Sequence, residues 1–494
     1  MDGSGLFPLP VSVFVMERTP RASTLWGALL WAVFGLGCAT TQSFNGDREA
    51  LFGAAVEASL ADQWAATAGY AFAYRQASAQ DDDRYDRSQM LLAKGLEGLA
   101  LYYGAAVLYL DVASAGRNPE LIDGAVAGLQ RVMGEPAYRE APRLIRVLGA
   151  SEFSDLRAER RDFVNYIQGL DSVRRGLDAW AGVSFARVSD KSDYRHWAAY
   201  VQAVVELAQG RFEQGRTALA GLLEEDDLPM VVANEVRIAL ARLAMQEERY
   251  DEAIVLYEAL KELSPERPDL VLEMAWAHYY SGDPRRALGL LLALDAPIYR
   301  ELIAPERYLL EARCLRRLCQ FEPARIAAAR LLRSYGAALT DLHEGVRPEQ
   351  SESIREAARR RGMARDAFAW TRALTIEQSR LSDLRQDLGP ALGDLLSDLY
   401  ARGVQDALRR EDRALRVELV ELTEELVLAQ DGVRLILHEL SVGLLRGRRR
   451  PPGPHLAAEL APLAADTTNY AFDGEFWTDE LDDLVVTIED RCLE

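Results

Sequence analysis

The sequence predicts an all-α protein whose middle is a solenoid of paired helices, and three periodic observations carry that prediction. First, small residues recur in pairs 12 apart: Gly169/Ala181, Ala203/Gly215, Ala241/Ala253, Ala275/Ala287 and Ala312/Ala324, the second members stepping by 34, 38, 34 and 37 residues. Antiparallel helices that cross at Gly or Ala approach more closely than larger side chains allow, so small residues held in register mark a repeated crossing. Second, five residues before the second small position stand Gly176, Gly210, Glu248, Gly282 and Cys319, where a tight turn between helices falls, and glycine suits that turn in three of the five. Third, four residues after it stand Phe185, Leu219, Tyr257, Leu291 and Ala328, mostly large core fillers.

The N-terminal segment is not part of this pattern. After Arg18 and Arg21 comes the apolar run LWGALLWAVFGLG (25–37), then Cys38 and the polar ATTQSFNG. A basic stretch followed by a short apolar core reads as a secretory signal over 1–37, too short to span a membrane comfortably. Its end resembles a bacterial lipobox, where the signal is cleaved before a cysteine that then carries lipid; Gly37 fits the small position, whereas Gly35 stands where that family prefers Leu. The resemblance implies lipidation of Cys38, a mature chain starting there and, with Ala39 rather than Asp next, transfer to the outer membrane. A retained signal anchor is the alternative, since no charge lies between Ala22 and Gly46, and Met16 is an alternative start.

Residues 47–160 read as an N-terminal helical capping region. REALFGAAVEASLADQWAATAGYAFAYRQA and RSQMLLAKGLEGLALYYGAAVLYLDVASAG both place apolar residues at i, i+3, i+4 and i+7, separated by the polar SAQDDDR (78–84). They are either degenerate repeat units closing the array or a helical pair of other origin. The array itself covers 161–340. Its best unit runs from Val236 to Pro265, with RYDEAIVLYEALKELSP as second helix, and its neighbour from Pro268 to Leu294 repeats it with SGDPRRALGLL. The longer steps hold LEEDDLPM (223–230) and DAPIYRELIAPE (295–306), insertions between units that leave each crossing intact. Over about 163–340 this pattern resembles the tetratricopeptide repeat (TPR) family, which implies about five helix-turn-helix repeats and a protein-binding groove.

Beyond Tyr335 the register stops, and HEGVRPEQSES (343–353) reads as a linker. Two long helical segments follow, about 354–388 and 391–445, divided at Gly389-Pro390. In the second, Leu415, Leu419, Leu422, Leu426, Ala429, Val433, Ile436 and Leu440 keep a 4/3 spacing, an a/d-like seam. A coiled coil with another chain and a hairpin packed on the segment before Gly389 both account for it, and the hairpin is the favoured expectation. RGRRRPPGP (446–454) reads as a second linker, its arginines suiting a helix end. The acidic C-terminal segment, 455–494, carries the aromatic YAFDGEFW and the β-prone LVVTI (484–488), fitting a small cap or a docking tail.

The formal net charge of −20 argues against general nucleic-acid binding, which needs a basic face to displace counterions. The cysteines, Cys38, Cys314, Cys319 and Cys492, show no metal spacing, and Cys314 and Cys319, five apart on one helix, are expected as small buried residues rather than a bridge. His196, His278, His343, His438 and His455 are scattered, and no HExxH, GxSxG, Walker loop or GxGxxG is present. Adjacent carboxylates such as Asp226/Asp227 and Asp482/Asp483 read as solvated surface. The chain is therefore expected to be non-enzymatic, with no catalytic or metal-ligating residue, cofactor or small-molecule substrate.

Solenoids of this kind bind along the face lined by the first helix of each unit. The register places Arg242 and Met245 there in the third unit, Trp276, Tyr279 and Tyr280 in the fourth, and Arg313, Arg316 and Arg317 in the fifth. Aromatics beside arginines are the composition of interface hot spots, although Trp276 and Tyr279 suit inter-repeat packing equally. More narrowly, LLAKGLEGLALYYGAAVLYLDVA (91–113), APIYRELIAPERYLLEARCLRRLCQF (296–321) and YAFDGEFWTDELDDLVVTIEDRC resemble TPR lipoproteins of myxobacteria, one of which serves the adventurous gliding-motility machine. The combined expectation is a lipid-anchored, periplasm-facing scaffold on the outer membrane, holding protein partners of an envelope assembly for gliding motility or secretion. The alternative is an envelope enzyme or enzyme subunit acting on peptidoglycan or polysaccharide, with the repeats as an accessory module.

Overall fold

A computed structural model describes residues 44–138, 142–151, 153, 156–260, 267–295, 304–445 and 486–492. The signal segment with Cys38, the linker 446–454 and residues 455–485 of the acidic segment lie outside them. The described residues form α-helices joined by turns, with one 3₁₀ turn and no strand among them. None of the described helices is long and apolar enough to cross a membrane.

The described residues divide into two compact units, those within 1–232 and 366–411 and those within 233–365 and 412–494. In the first, α1 (Arg48–Leu60), α2 (Trp64–Ala77), α3 (Tyr85–Gly98) and α4 (Tyr102–Ala115) are followed by α5 (Pro119–Gly134) and α6 (Pro142–Ala150). The hairpins α7 (Ala158–Arg174) with α8 (Asp178–Phe185) and α9 (Arg195–Ala208) with α10 (Phe212–Leu223) come next. The second unit holds α11 (Met230–Gln246) from residue 233 on, α12 (Tyr250–Glu258), α13 (Pro268–Ser281), α14 (Pro284–Ala293), α15 (Glu306–Arg317), α16 (Phe321–Ser334), α17 (Gly336–His343) and α18 (Glu352–Arg359). The long α19 (Gly362–Leu388) and α20 (Pro390–Leu445) contribute to both units.

Each predicted small pair sits at a helix crossing. Ala181, Ala203, Ala241, Ala253, Ala275, Ala287, Ala312 and Ala324 are at most 1% exposed. A Cβ on Gly215 would stand 2.4 Å from the Leu207 side chain and 3.0 Å from the Ala203 carbonyl, and one on Gly169 would stand 2.2 Å from the Phe185 ring. Contact that close fixes the side-chain size. The turns are equally uniform: Gly176, Gly210, Glu248, Gly282 and Cys319 all take positive φ, from +53° to +102°. For Glu248 and Cys319 this left-handed conformation carries a cost on the order of 1 kcal/mol, offset by the burial that a tight reversal permits. Asp62 and Ala100 repeat the device between α1 and α2 and between α3 and α4, with Ala55/Thr67 and Ala93/Ala105 as buried pairs 12 apart.

Local chemistry starts several helices. Asp47 accepts a hydrogen bond from the Ala50 amide at the head of α1, and Asp283, followed by Pro284 at the first helical position, accepts from the Arg286 amide at the head of α14.

In the first unit the first part of α20 and most of α19 enclose a polar centre. Glu377 accepts hydrogen bonds from the Tyr138 and Tyr400 hydroxyls and, at 3.0 Å, from the Tyr103 amide. Tyr103, Tyr138, Trp370 and Tyr400 pack edge-on around it. Burial holds the Glu377 carboxyl above its ordinary range, the donated hydrogen bonds and Arg380 opposing this in part.

In the second unit the α20 seam is covered by this same chain. Leu415, Leu419, Leu422 and Leu426 share a core with Ala338 and Leu339 of α17 and with Ile354, Ala358 and Ala364. Ala429, Val433, Ile436 and Leu440 instead join the core of the repeats, where a Cβ on Gly432 would stand 2.7 Å from Leu309 of α15. Only the first half of the seam therefore packs on the segment before Gly389. Arg361 pairs with Glu425 at 2.6 Å, and Glu418 accepts from the Met363 amide at the head of α19.

The reading of Cys319 is corrected. Cys314 is buried and free, as expected, but Cys319 forms a disulfide with Cys492, 173 residues away. At the positive-φ turn Cys319 points out of the helix pair toward the C-terminal segment, a contact that local spacing does not reveal.

Two predictions follow from the crossings and from Glu377. Replacing Ala253 or Ala287 with Leu should cost about 1–3 kcal/mol or more in denaturant unfolding, because methylenes are forced into a filled contact. Glu252→Leu on the exposed side of α12 should stay within about 0.5 kcal/mol, and equal effects would refute the register. An acid whose pKa is raised by folding holds its proton in the native state after the unfolded chain has lost it, so its contribution to stability is greatest below the unfolded value, about pH 4.3, and declines as pH rises through the folded one. Glu377→Gln should therefore gain on the wild type between pH 4 and pH 7; a stability difference that does not change over that interval would show that Glu377 titrates normally.

Candidate functional site

The first helices of the second unit, α11, α13 and α15, carry all eight residues that the sequence places in a binding groove. Arg242 is already engaged: it forks onto Glu273 at 2.8 and 2.9 Å, and Glu273 also accepts from the Tyr257 hydroxyl. This joins neighbouring repeats through a largely buried ion pair, and Met245 packs partly buried against the same core. Both residues act in the joint between repeats.

The three aromatic residues make a continuous ring cluster with Tyr250 of α12. Tyr250 stacks on Tyr280 with centroids 5.0 Å apart, and Tyr280 on Trp276 at 5.3 Å, the planes within about 20° of parallel in both pairs. Tyr279 meets Trp276 and Tyr280 edge-on. The Trp276 indole N–H donates to Glu306 at 3.1 Å, which orients the ring. Burial pushes the Glu306 carboxyl up, the Trp276 bond opposing it. Trp276 and Tyr279 are half-buried against the repeat core, whereas Tyr280 remains 45% exposed.

The arginines of α15 divide. Arg316 pairs with Glu439 of α20, so that helix covers part of this face. Arg313 lies over Trp276 with 5.5 Å from guanidinium carbon to ring centroid, and Arg317, one turn on, lies 5.6 Å over Tyr279 while donating to the Tyr279 carbonyl. Among the described residues no carboxylate lies within ion-pair distance of either. On a chain with 77 acids against 57 bases, two neighbouring guanidiniums left without carboxylates are an asymmetry with chemical meaning. Their forks can take a carboxylate from outside, and the stacked rings supply area and hold the planes.

Two further constellations lie in the first unit. His196 of α9 is buried with Nε2 2.9 Å from Glu225 and 3.5 Å from Asp227, all ligand atoms lying within 4.8 Å of one another, which a cation could bridge. The carboxylates are exposed, and Asp227 also pairs with Arg195, so the cluster equally serves to pin the inserted loop to α9. In the sequence Asp226/Asp227 read as solvated surface without ligand spacing, because the histidine that approaches this loop lies about thirty residues away. A cavity of about 380 Å³ between α8, α9 and the turn at Arg211 holds Asp178 and Glu206 in its wall. Asp178 accepts from Gln209, and Arg211 beside Glu206 holds that carboxyl below its ordinary range, the reverse of what a general acid at neutral pH requires.

Residues 235–298, from α11 past α14, match the family model of the tetratricopeptide repeat. No curated protein matches the chain. With the matched helix pairs flanked by others that keep the same small-residue crossing and the same left-handed turn, the described residues are all-α, with repeated helix pairs of tetratricopeptide-repeat type.

Proposed function

We propose that this protein is a non-enzymatic scaffold that captures an acidic segment of a protein partner on the face formed by α13 and α15. Tetratricopeptide repeats generally mediate protein–protein interactions, and residues 235–298, which match that family, include Trp276, Tyr279 and Tyr280. The observation that carries the reading is the pair Arg313 and Arg317, stacked on Trp276 and Tyr279 without carboxylate partners among the described residues. Partner recognition there combines charge-assisted forks with rigid aromatic area.

The proposal extends to location. The lipobox-like end of the N-terminal segment supports acylation of Cys38 and confinement to the periplasmic side of the outer membrane, where a groove of modest affinity gains from raised local concentration. The Cys319–Cys492 bridge supports an oxidising compartment, since such bonds are rare in reducing ones. Within the envelope, the resemblance to myxobacterial lipoproteins favours a gliding-motility or secretion assembly as the setting.

Peptide display against the full chain should enrich acidic segments, and Arg313→Glu should weaken their capture at least tenfold while melting stays nearly unchanged, because Arg313 makes no hydrogen bond within the described fold. Capture should also weaken with salt, as exposed charges are screened beyond about 8 Å at physiological ionic strength. Enrichment of basic or neutral peptides, or capture that survives the charge reversal, would remove this site from the account. For the anchor, Cys38→Ala should abolish acyl labelling and release the protein from membranes; unchanged membrane retention with the N-terminal segment intact would establish a signal anchor.

A further inference from the structure

The C-terminal residues 486–492 are seated on an edge of the second unit, and Cys492 reaches the Arg317 carbonyl at the end of α15 at 3.2 Å. The seat is built from α14 and from the turn between α15 and α16. The Val486 amide donates to the Arg285 carbonyl at 3.4 Å, and the Arg285 side chain donates back to the Ile488 carbonyl at 2.9 Å. Gln320, only 5% exposed, donates its side-chain amide to the Glu489 carbonyl at 2.8 Å. The Arg491 amide donates to the Leu318 carbonyl at 3.1 Å, and Cys492 ends the run in its disulfide with Cys319.

The pattern along the segment alternates. Val486 and Ile488 are half-buried and pack against the repeat core, whereas Thr487 and Glu489 face outward. Period-two burial with backbone hydrogen bonds is how a protein reads an extended peptide: the main chain supplies affinity and alternate side chains supply selectivity. Four of the groups used here, the Arg285 carbonyl and guanidinium, the Gln320 amide and the Leu318 carbonyl, address backbone and not side chains. A different chain with aliphatic residues two apart would satisfy them equally.

We propose that this edge is a docking site for an extended peptide of the pattern aliphatic–x–aliphatic, filled in the oxidised protein by the chain's own residues 486–492, and that reduction of Cys319–Cys492 by a dithiol opens it to such a segment of a protein partner. In the exchange a thiolate of the dithiol attacks the sulfur of Cys492, the exposed half of the bridge, forming a mixed disulfide and expelling the Cys319 thiolate, which takes a proton. The second thiol of the reductant then closes its own disulfide and releases Cys492 as a thiol. Two electrons pass from the dithiol to the bridge. While the bond is intact the segment is held at an intramolecular concentration that no free peptide matches; once it is broken, only the hydrogen bonds and two half-buried aliphatic side chains hold it.

The probe is a fluorescent peptide of residues 484–492 carrying Cys492→Ser, followed by anisotropy against the full chain. The oxidised wild type should not bind it. Wild type treated with a dithiol, and a full-length variant with Ile488→Asp and Cys492→Ser that disables its own tail, should bind saturably and at least tenfold more tightly than the oxidised form. Carrying Val486→Asp and Ile488→Asp in the probe should abolish binding, a control that leaves the protein's folding untouched. Equal binding to oxidised and tail-disabled protein would show that the tail does not occupy the site. Failure of the tail-disabled variant to bind, with its helical circular dichroism and melting intact, would reduce the segment to a cross-linked terminus. Adding Arg313→Glu to the tail-disabled variant should leave probe binding unchanged, which separates this outcome from that of the proposed function.

Discussion

The constraint on which the rest depends is the close crossing of two helices at a pair of small residues, followed by a reversal in left-handed backbone. Where Gly215 meets the carbonyl of Ala203 no side chain can be interposed, so the angle and separation of α9 and α10 are set by backbone contact. A left-handed residue five positions earlier then becomes obligatory. Glycine fills it in three units, and Glu248 and Cys319 accept the same φ without glycine's freedom. The geometry dominates the residue preference because losing the crossing would expose the large fillers behind it, Tyr257 and Leu291 among them, whose burial stabilises each joint by about 1.5–3 kcal/mol.

Once the crossings are fixed, the electrostatics of the first-helix face follow. Successive first helices stand side by side, so Arg242 faces Glu273, and Trp276 faces Glu306 from one repeat to the next. These buried or half-buried pairs hold the repeats in register and use up most of the charge there. Arg313 and Arg317 fall where the next partner along the array would be expected to supply acid, yet aromatic rings of α13 meet them. The internal pairing pattern thus runs out at the two arginines on which the proposed capture of an acidic segment rests.

Segments distant in sequence then complete the second unit. The latter half of α20 buries four aliphatic residues in the repeat core and pairs Glu439 with Arg316, covering surface that an open array would leave to solvent or to a partner. The last described residues lie on the α14 edge, fastened by a covalent bond. Each addition satisfies groups that the repeats by themselves leave open, such as the Leu318 carbonyl at the end of α15.

The sequence by itself determined the helix pairs, their crossings and their turns, because these depend on residues 5 and 12 positions apart and repeat with a fixed period. It also placed the eight residues expected in a groove on the first helices of their units, where they are found, since helix identity follows from the same register. Which of those residues are engaged was decided only by tertiary structure: Arg242 by Glu273 in the next repeat, Arg316 by Glu439 more than a hundred residues on, while Arg313 lies over Trp276 without a carboxylate among the described residues. The pairing of Cys319 with Cys492, the approach of Glu225 and Asp227 to His196, and the division of the α20 seam between two partners were likewise settled in three dimensions. The physical reason is common to all of them. Periodicity reports which face of a helix is buried, but not which distant segment buries it, and a charge or a thiol finds its partner only after the chain has chosen that segment.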